Sequence, residues 1–137
     1  MESRIIVVDF DGTVVTQDYP DIGRDIGALS ILKELVEKGH QLILFTMRYG
    51  ILLEEASAWF KERGIPLLGI NKNPSQHTWT KSPKVFGHLY IDDTALGCPT
   101  THSYTAVVEG KPVEVYHRKP FVNWDAVRQL LVEKGVL

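Results

Sequence analysis

The feature that most constrains this chain is its opening apolar run, residues 4–8, which reads RIIVV and stops directly on Asp9. A continuous β-branched stretch without polar alternation predicts a strand buried on both faces, as in a parallel sheet. Asp9 and Gly12 then punctuate it. A polar, proline-bearing stretch follows as far as Gly23. Ile26, Leu29, Leu32, Leu35 and Val36 recur at helical spacing, and Gly39 ends that helix.

The alternation continues. Residues 41–45 (QLILF) form a second strand. Residues 52–63 form a second amphipathic helix with Leu53, Ala56, Trp59 and Phe60 inward, closed by Gly64 and Pro66. Residues 67–70 form a short third strand. Residues 71–83 are a polar loop, and a short helical turn is expected over residues 83–87. Residues 88–91 (HLYI) form a fourth strand that runs straight into Asp92 and Asp93. Residues 105–108 and 113–116, joined by the turn Glu109-Gly110-Lys111-Pro112, predict a β-hairpin. A last helix spans residues 124–133, capped by Asn123 or Asp125 and stopped by Gly135.

Strands alternating with helices imply right-handed crossovers. The fold class is therefore α/β: a three-layer, Rossmann-like sandwich with a mostly parallel central sheet, followed by a C-terminal hairpin and helix. At 137 residues the chain suits a single domain with its own core.

Charge and composition narrow the partners. A net charge of −2 and 44% apolar residues describe an ordinary globular protein, and neither nucleic acid nor an anionic membrane is expected as a partner. Cys98 is the single cysteine, so no internal disulfide forms; His102 follows it by four residues without the second pair a zinc site needs. Residues 1–11 reach acidic side chains too soon for a signal peptide or membrane anchor, which makes a cytoplasmic location the default expectation.

In parallel α/β sheets the ligand sits beyond the carboxyl ends of the strands. Strands one, two and four end on Asp9, Thr46 and Asp92, so three separate segments deliver polar groups to one rim. Asp9 and Asp11 flank Phe10, and Gly12 permits the bend that lets both face that rim. Each piece alone is ordinary turn chemistry. Four aspartates brought together repel, and the hard oxygen set without His or Cys points to Mg²⁺ as compensator. Lys81 and Lys84, ahead of the fourth strand, are nearby sources of positive charge.

The segments DFDGT, ILFT and YIDD, in this order and on these elements, resemble the first, second and fourth motifs of the haloacid-dehalogenase-like phosphohydrolases. The resemblance spans residues 4–97. Larger members of that family insert a cap domain after the first or the second motif; here residues 14–30 are too short for one and residues 47–83 contain only what the core needs, so the resemblance implies a capless member. It implies a Mg²⁺-dependent phosphatase acting on a phosphomonoester, a small phosphorylated metabolite, through a phosphoaspartate. Asp9 would be nucleophile and metal ligand. Asp11 would be the general acid and base, with its backbone carbonyl on the metal. Thr46 and Lys84 would hold the phosphoryl oxygens, Lys84 chosen over Lys81 because it stands eight residues before Asp92. Asp92 and Asp93 would position the metal, and Thr13 would orient the first loop. His88 and Thr94 depart from what related YIDD sequences carry, which bears on fine specificity.

Further substrate contacts are expected from Thr13, Arg48, Asn71 and Asn73, with His77 beside them; Arg48 suits a second anionic group. Trp59 and Trp124 read as core, with Trp79 undecided. The hairpin edge can pair with another chain, so a homo-oligomer is possible. Three alternatives remain open. One is a phospho-acceptor signalling module, although no aspartate ends strand three, where Ile70-Asn71-Lys72-Asn73 stands. Another is an inactive binding protein with the same site. The third is a mutase or dehalogenase on the same core.

Overall fold

The computed structural model describes residues 2–137. Strand β1 (Ile5–Val8) occupies the interior of a four-stranded parallel sheet, with β2 (Gln41–Leu44) on one side and β4 (Leu89–Ile91) on the other. The two-residue β3 (Gly69–Ile70) is the edge beyond β2, which gives the order β3-β2-β1-β4. Both faces of β1 are covered, as its unbroken β-branched sequence requires.

Helices α1 (Ala28–Glu37) and α2 (Gly50–Glu62) connect β1 to β2 and β2 to β3. Two right-handed crossovers stepping the same way must lie on the same face. Ile6, Val8, Leu42 and Leu44 accordingly share one apolar cluster with Leu32, Leu35, Ala56, Trp59 and Phe60. The C-terminal helix α3 (Trp124–Glu133) joins this cluster through Val127 and Leu131. Arg128 of α3 also forks onto Glu34 of α1, with Nε–Oε1 at 3.0 Å and Nη2–Oε2 at 2.7 Å. Asn123 caps α3 as expected, its side-chain oxygen accepting the Ala126 N–H. α1 starts two residues after Ile26, because Gly27 turns left-handed (φ 98°) and the Asp25 carboxylate accepts the Leu29 N–H at 3.0 Å.

The step from β3 back to β4 reverses direction, so its crossover covers the opposite face. Val7 and Ile43 meet Val85 there, with Ile5 and Leu68 alongside. This third layer is irregular. The expected helical turn over residues 83–87 is absent, and one 3₁₀ turn, Gln76–Thr78, stands earlier in the segment. Side-chain amides take over the work of a helical ladder. Gln76 donates to the Lys84 and Ser82 carbonyls and accepts the Phe86 N–H, while Asn73 donates to the Phe86 carbonyl. Pro74 and Pro83 within this stretch explain why a backbone ladder does not form.

The hairpin is longer than its sequence signal. β5 (Thr100–Val108) and β6 (Lys111–Val122) make a separate two-stranded antiparallel sheet. Its base is tied to the loop after β1: the Val122 N–H donates to the Gly12 carbonyl (3.0 Å), and the buried Trp124 indole donates to the Thr13 carbonyl (2.6 Å). The C-terminal third of the chain therefore buttresses the segment that carries Asp9 and Asp11. Trp59 and Trp124 are core residues, and Trp79 is exposed with its ring set edge-on to Phe86.

Candidate active site

β1 and β4 are adjacent although they are far apart in sequence, and the strand order reverses between them. The crevice beyond their carboxyl ends is where α/β sheets accept ligands. Val8 pairs with Ile91, and the Asp9 N–H continues the ladder to the Ile91 carbonyl at 3.0 Å. Asp9 thus stands beside Asp92 and Asp93. One carboxylate oxygen from each of the three lies within 4.8 Å of the others.

Thr13 organises this triad from beneath. It is fully buried, and its hydroxyl donates to Asp9 Oδ2 (2.8 Å) while accepting the Asp93 N–H (3.1 Å). Asp92 is turned by its own local bonds, its Oδ1 accepting the Thr94 N–H at 2.9 Å and the Thr94 hydroxyl at 2.8 Å. Gly12 has φ +78°, and a Cβ at that position would lie 2.5 Å from Asp93 Oδ2. Only glycine lets the loop turn left-handed and come this close to the triad.

Burial pushes the Asp9 carboxyl up from the ordinary carboxylate range to about 7; the Thr13 hydrogen bond opposes this and the charge of Asp92 adds to it. Burial likewise raises Asp93. Two carboxyls strained toward their neutral forms, with all-oxygen donors and no nitrogen or sulfur among them, suit a hard divalent cation. The donor chemistry fits such an ion without identifying it.

The carboxylates open into a cleft of about 580 Å³. Asp9, Asp11, Asp92, Asp93, Thr46 and Arg48 all line it, so six of the sequence candidates meet in one place. Asp11 lines the same cleft outside the triad, paired with Arg48: Nε donates to its Oδ2 (2.8 Å) and Nη2 to its Oδ1 (2.7 Å). The Arg48 side chain is 0% exposed. Its remaining donors go to the carbonyls of Pro20 and Asp21, with a longer contact to that of Leu52. It is saturated by the protein and has no donor left for a second anionic group, which corrects the expectation for this residue. Asp11, expected to reach a metal through its backbone carbonyl, contributes no carboxylate oxygen to the triad.

Other candidates lie elsewhere. Lys84 does not line the cleft; its Nζ is 5.8 Å from the centroid of the Tyr90 ring. Asn71 is exposed and does not line the cleft; its side-chain oxygen accepts the Thr46 N–H (2.8 Å) and so fixes Thr46. Asn73 is buried in the irregular layer, where its amide holds the chain together. His77 is exposed and bonds the Pro74 carbonyl. Thr13 is too deep to touch a ligand and supports the triad instead. His88 is a strand-end residue, its Nδ1 accepting the Ile5 N–H at 2.9 Å.

Gln17, Tyr19, Met47, Thr94 and Lys119 also line the cleft and were not expected there as ligand contacts. Met47 is 96% exposed and Tyr19 51%, an apolar shelf beside the carboxylates. The signal in the sequence for this shelf is a methionine, Met47, directly after Thr46 at the strand end.

Fold and site together define an α/β protein with a carboxylate triad at the switch point of a parallel sheet. A conserved protein coded by a locus from Bacteroides thetaiotaomicron has a solved structure that superposes with a TM-score of 0.72 at 32% identity, over 97% of this chain and 93% of that one. The chain belongs to the same family as that conserved protein. No family model and no curated protein matches it. Among the described residues no helix is long and apolar enough to cross a membrane.

Proposed function

We propose that this protein is a divalent-cation-dependent phosphomonoester hydrolase of the haloacid-dehalogenase-like type, with Asp9 as the residue that attacks phosphorus. The observation that carries the proposal is the convergence of Asp9, Asp92 and Asp93 within 4.8 Å, with Asp11 two residues beyond Asp9 and locked by Arg48. The motif order DFDGT, ILFT and YIDD supports the same assignment.

Asp9, Asp92 and Asp93 would hold the cation, Mg²⁺ by the chemistry of the donors. When bound, it neutralises the clustered carboxylates and the charge of the substrate. Asp9 ends a strand buried on both faces, so its backbone is rigid and its carboxylate can be aimed. That carboxylate attacks phosphorus, the bond from phosphorus to the leaving oxygen breaks, and a phosphoaspartate remains on Asp9. Thr46 lines the same cleft. Its oxygen accepts the Arg48 N–H (3.2 Å), so its hydroxyl proton stays available for a phosphoryl oxygen.

Asp11 is the general acid and base. Each of its oxygens accepts one bond from Arg48 and keeps a further lone pair. A base held by a third group is the arrangement that activates nucleophiles generally. The acid form of Asp11 gives its proton to the departing oxygen; the carboxylate left behind takes a proton from the water that attacks the phosphoaspartate, which releases phosphate, frees Asp9 and restores the acid form. An open cleft with an apolar shelf suits a small phosphorylated metabolite with an apolar or aromatic leaving group. Phosphate release from phosphosugars, nucleotides and aryl phosphates, with and without Mg²⁺, tests the proposal. Release that needs the cation is expected. Full activity in the presence of a chelator, or no release from any member of the panel, would contradict it.

A further inference from the structure

The ladder between β5 and β6 is interrupted at one place. Thr101 pairs with Phe121, and pairing resumes at Ser103 and Tyr116. Between these points β5 contributes His102 alone, whereas β6 contributes His117, Arg118, Lys119 and Pro120. Four residues facing one cannot stay in the ladder, so the β6 segment bulges out. Bulges of this kind redirect side chains and recur next to active sites.

The bulge is held in one shape. His117 Nε2–H donates to Asp18 Oδ1 (3.1 Å), and His117 Nδ1 accepts the Lys119 N–H (3.0 Å). A single neutral tautomer satisfies both bonds. Asp18 is itself held by the Thr16 hydroxyl at 2.6 Å. His102 donates to the His117 carbonyl from the facing strand, at 3.0 Å. The backbone of Lys119 is thereby pinned to the loop that follows β1, and Lys119 lines the carboxylate cleft.

The charges around the cleft give this placement its meaning. Four carboxylates line it and repel an incoming anion. Arg48 is saturated, and Lys84 lies over Tyr90. Among the described residues, Lys119 is the one lining cation that makes no ion pair. A lysine is a compact charge on a flexible stem, suited to following a phosphoryl group.

We infer that Lys119, delivered by the β6 bulge, is the residue that binds the anionic phosphoryl group in this cleft, in the place the sequence spacing assigned to Lys84. The inference rests on the hydrolase assignment for its substrate class, and inorganic phosphate separates the two. Calorimetric titration of the Mg²⁺-loaded full chain with inorganic phosphate is the test. Lys119→Ala should weaken binding by about tenfold or more, and Lys119→Arg should recover most of it. Lys111→Ala, at the hairpin turn, should bind as the wild type does. In parallel, the KM for an aryl phosphate should rise in Lys119→Ala. Wild-type binding that depends on Lys119 without any hydrolysis would uphold the anion site and refute the hydrolase assignment. Wild-type protein that binds no phosphate at millimolar concentration, or a Lys119→Ala protein that binds it as tightly as wild type, would overturn the inference.

Discussion

Arg48 and Asp11 meet fork to fork, Nε on Oδ2 at 2.8 Å and Nη2 on Oδ1 at 2.7 Å, with the arginine wholly enclosed. The two residues are 37 apart and come from the ends of different strands, so their pairing ties the first loop to the second. The hydrogen bonds it donates to Asp11 raise Arg48 further above its ordinary range, outweighing burial, which works against the guanidinium's charge. Phe10 and Tyr19 add their ring faces, each with its centroid 5.2 Å from the guanidinium carbon.

Removing that arginine should therefore damage both stability and turnover. Arg48→Ala leaves a carboxylate and three carbonyls without this donor, and urea denaturation should show a loss of about 3 kcal/mol. Arg48→Lys keeps the charge but cannot make the fork. Its fold should survive, while kcat falls by about 10² or more if Asp11 needs this partner to be aimed. A Lys variant with wild-type kcat would show that Asp11 is positioned by something else.

Thr13 is a second structural lever on the chemistry. Thr13→Val keeps the volume and removes the hydroxyl that joins Asp9 to the Asp93 backbone. Stability should drop by about 1–3 kcal/mol, the cost of leaving buried polar groups unpaired. Mg²⁺ affinity should weaken as well, because two of the three triad carboxylates lose their common support. Denaturant titration and calorimetry of Mg²⁺ binding read the two effects separately. An unchanged Mg²⁺ affinity would mean the triad holds its shape without Thr13.

The pH dependence has a definite sign. Asp9 ionises near 4 in the unfolded chain and at about 7 in the folded one. Between these values the folded protein keeps a proton that the unfolded chain has released, so metal-free stability falls as pH rises through this window and then levels off. Asp93, also raised, acts in the same direction. Asp18 and Glu34 are lowered instead, and their contributions are lost only below the ordinary carboxylate range. Chelator-treated protein should show a melting temperature that declines from pH 5 to pH 7, with a shallower decline in Asp9→Asn. Added Mg²⁺ should stabilise more at pH 8 than at pH 5. A flat profile shared by wild type and variant would remove Asp9 as the cause.

Much of this arrangement is legible in the residues themselves. The unbroken RIIVV run announces a strand inside a parallel sheet, and the α3 boundaries follow from Asn123 and Gly135. Asp9, Thr46 and Asp92 read as rim residues because each ends a strand. What escapes is long-range or irregular. Asn73 and Gln76 look like loop polars, and only the folded chain shows their amides replacing a helical ladder. Lys84 satisfies a spacing rule, but that irregular layer turns it toward Tyr90. Lys119 is invisible to local patterning because a bulge places it. The signal for it is the run His117-Arg118-Lys119-Pro120, which breaks the alternation of β6 with a proline that cannot join the ladder.

The central claim is that Asp9 carries the phosphoryl group and Asp11 moves the proton. A rapid-quench experiment with a labelled aryl phosphate in the presence of Mg²⁺ tests it most directly. Such a leaving group needs little acid assistance, so Asp11→Asn should still form the phosphoaspartate and then hydrolyse it about 10²–10⁴ times more slowly than wild type. Label should accumulate on Asp11→Asn in an acid-stable form, appear as a burst on wild type, and be absent from Asp9→Asn. Acid-stable label on Asp9→Asn, or none on either wild type or Asp11→Asn, would contradict the account.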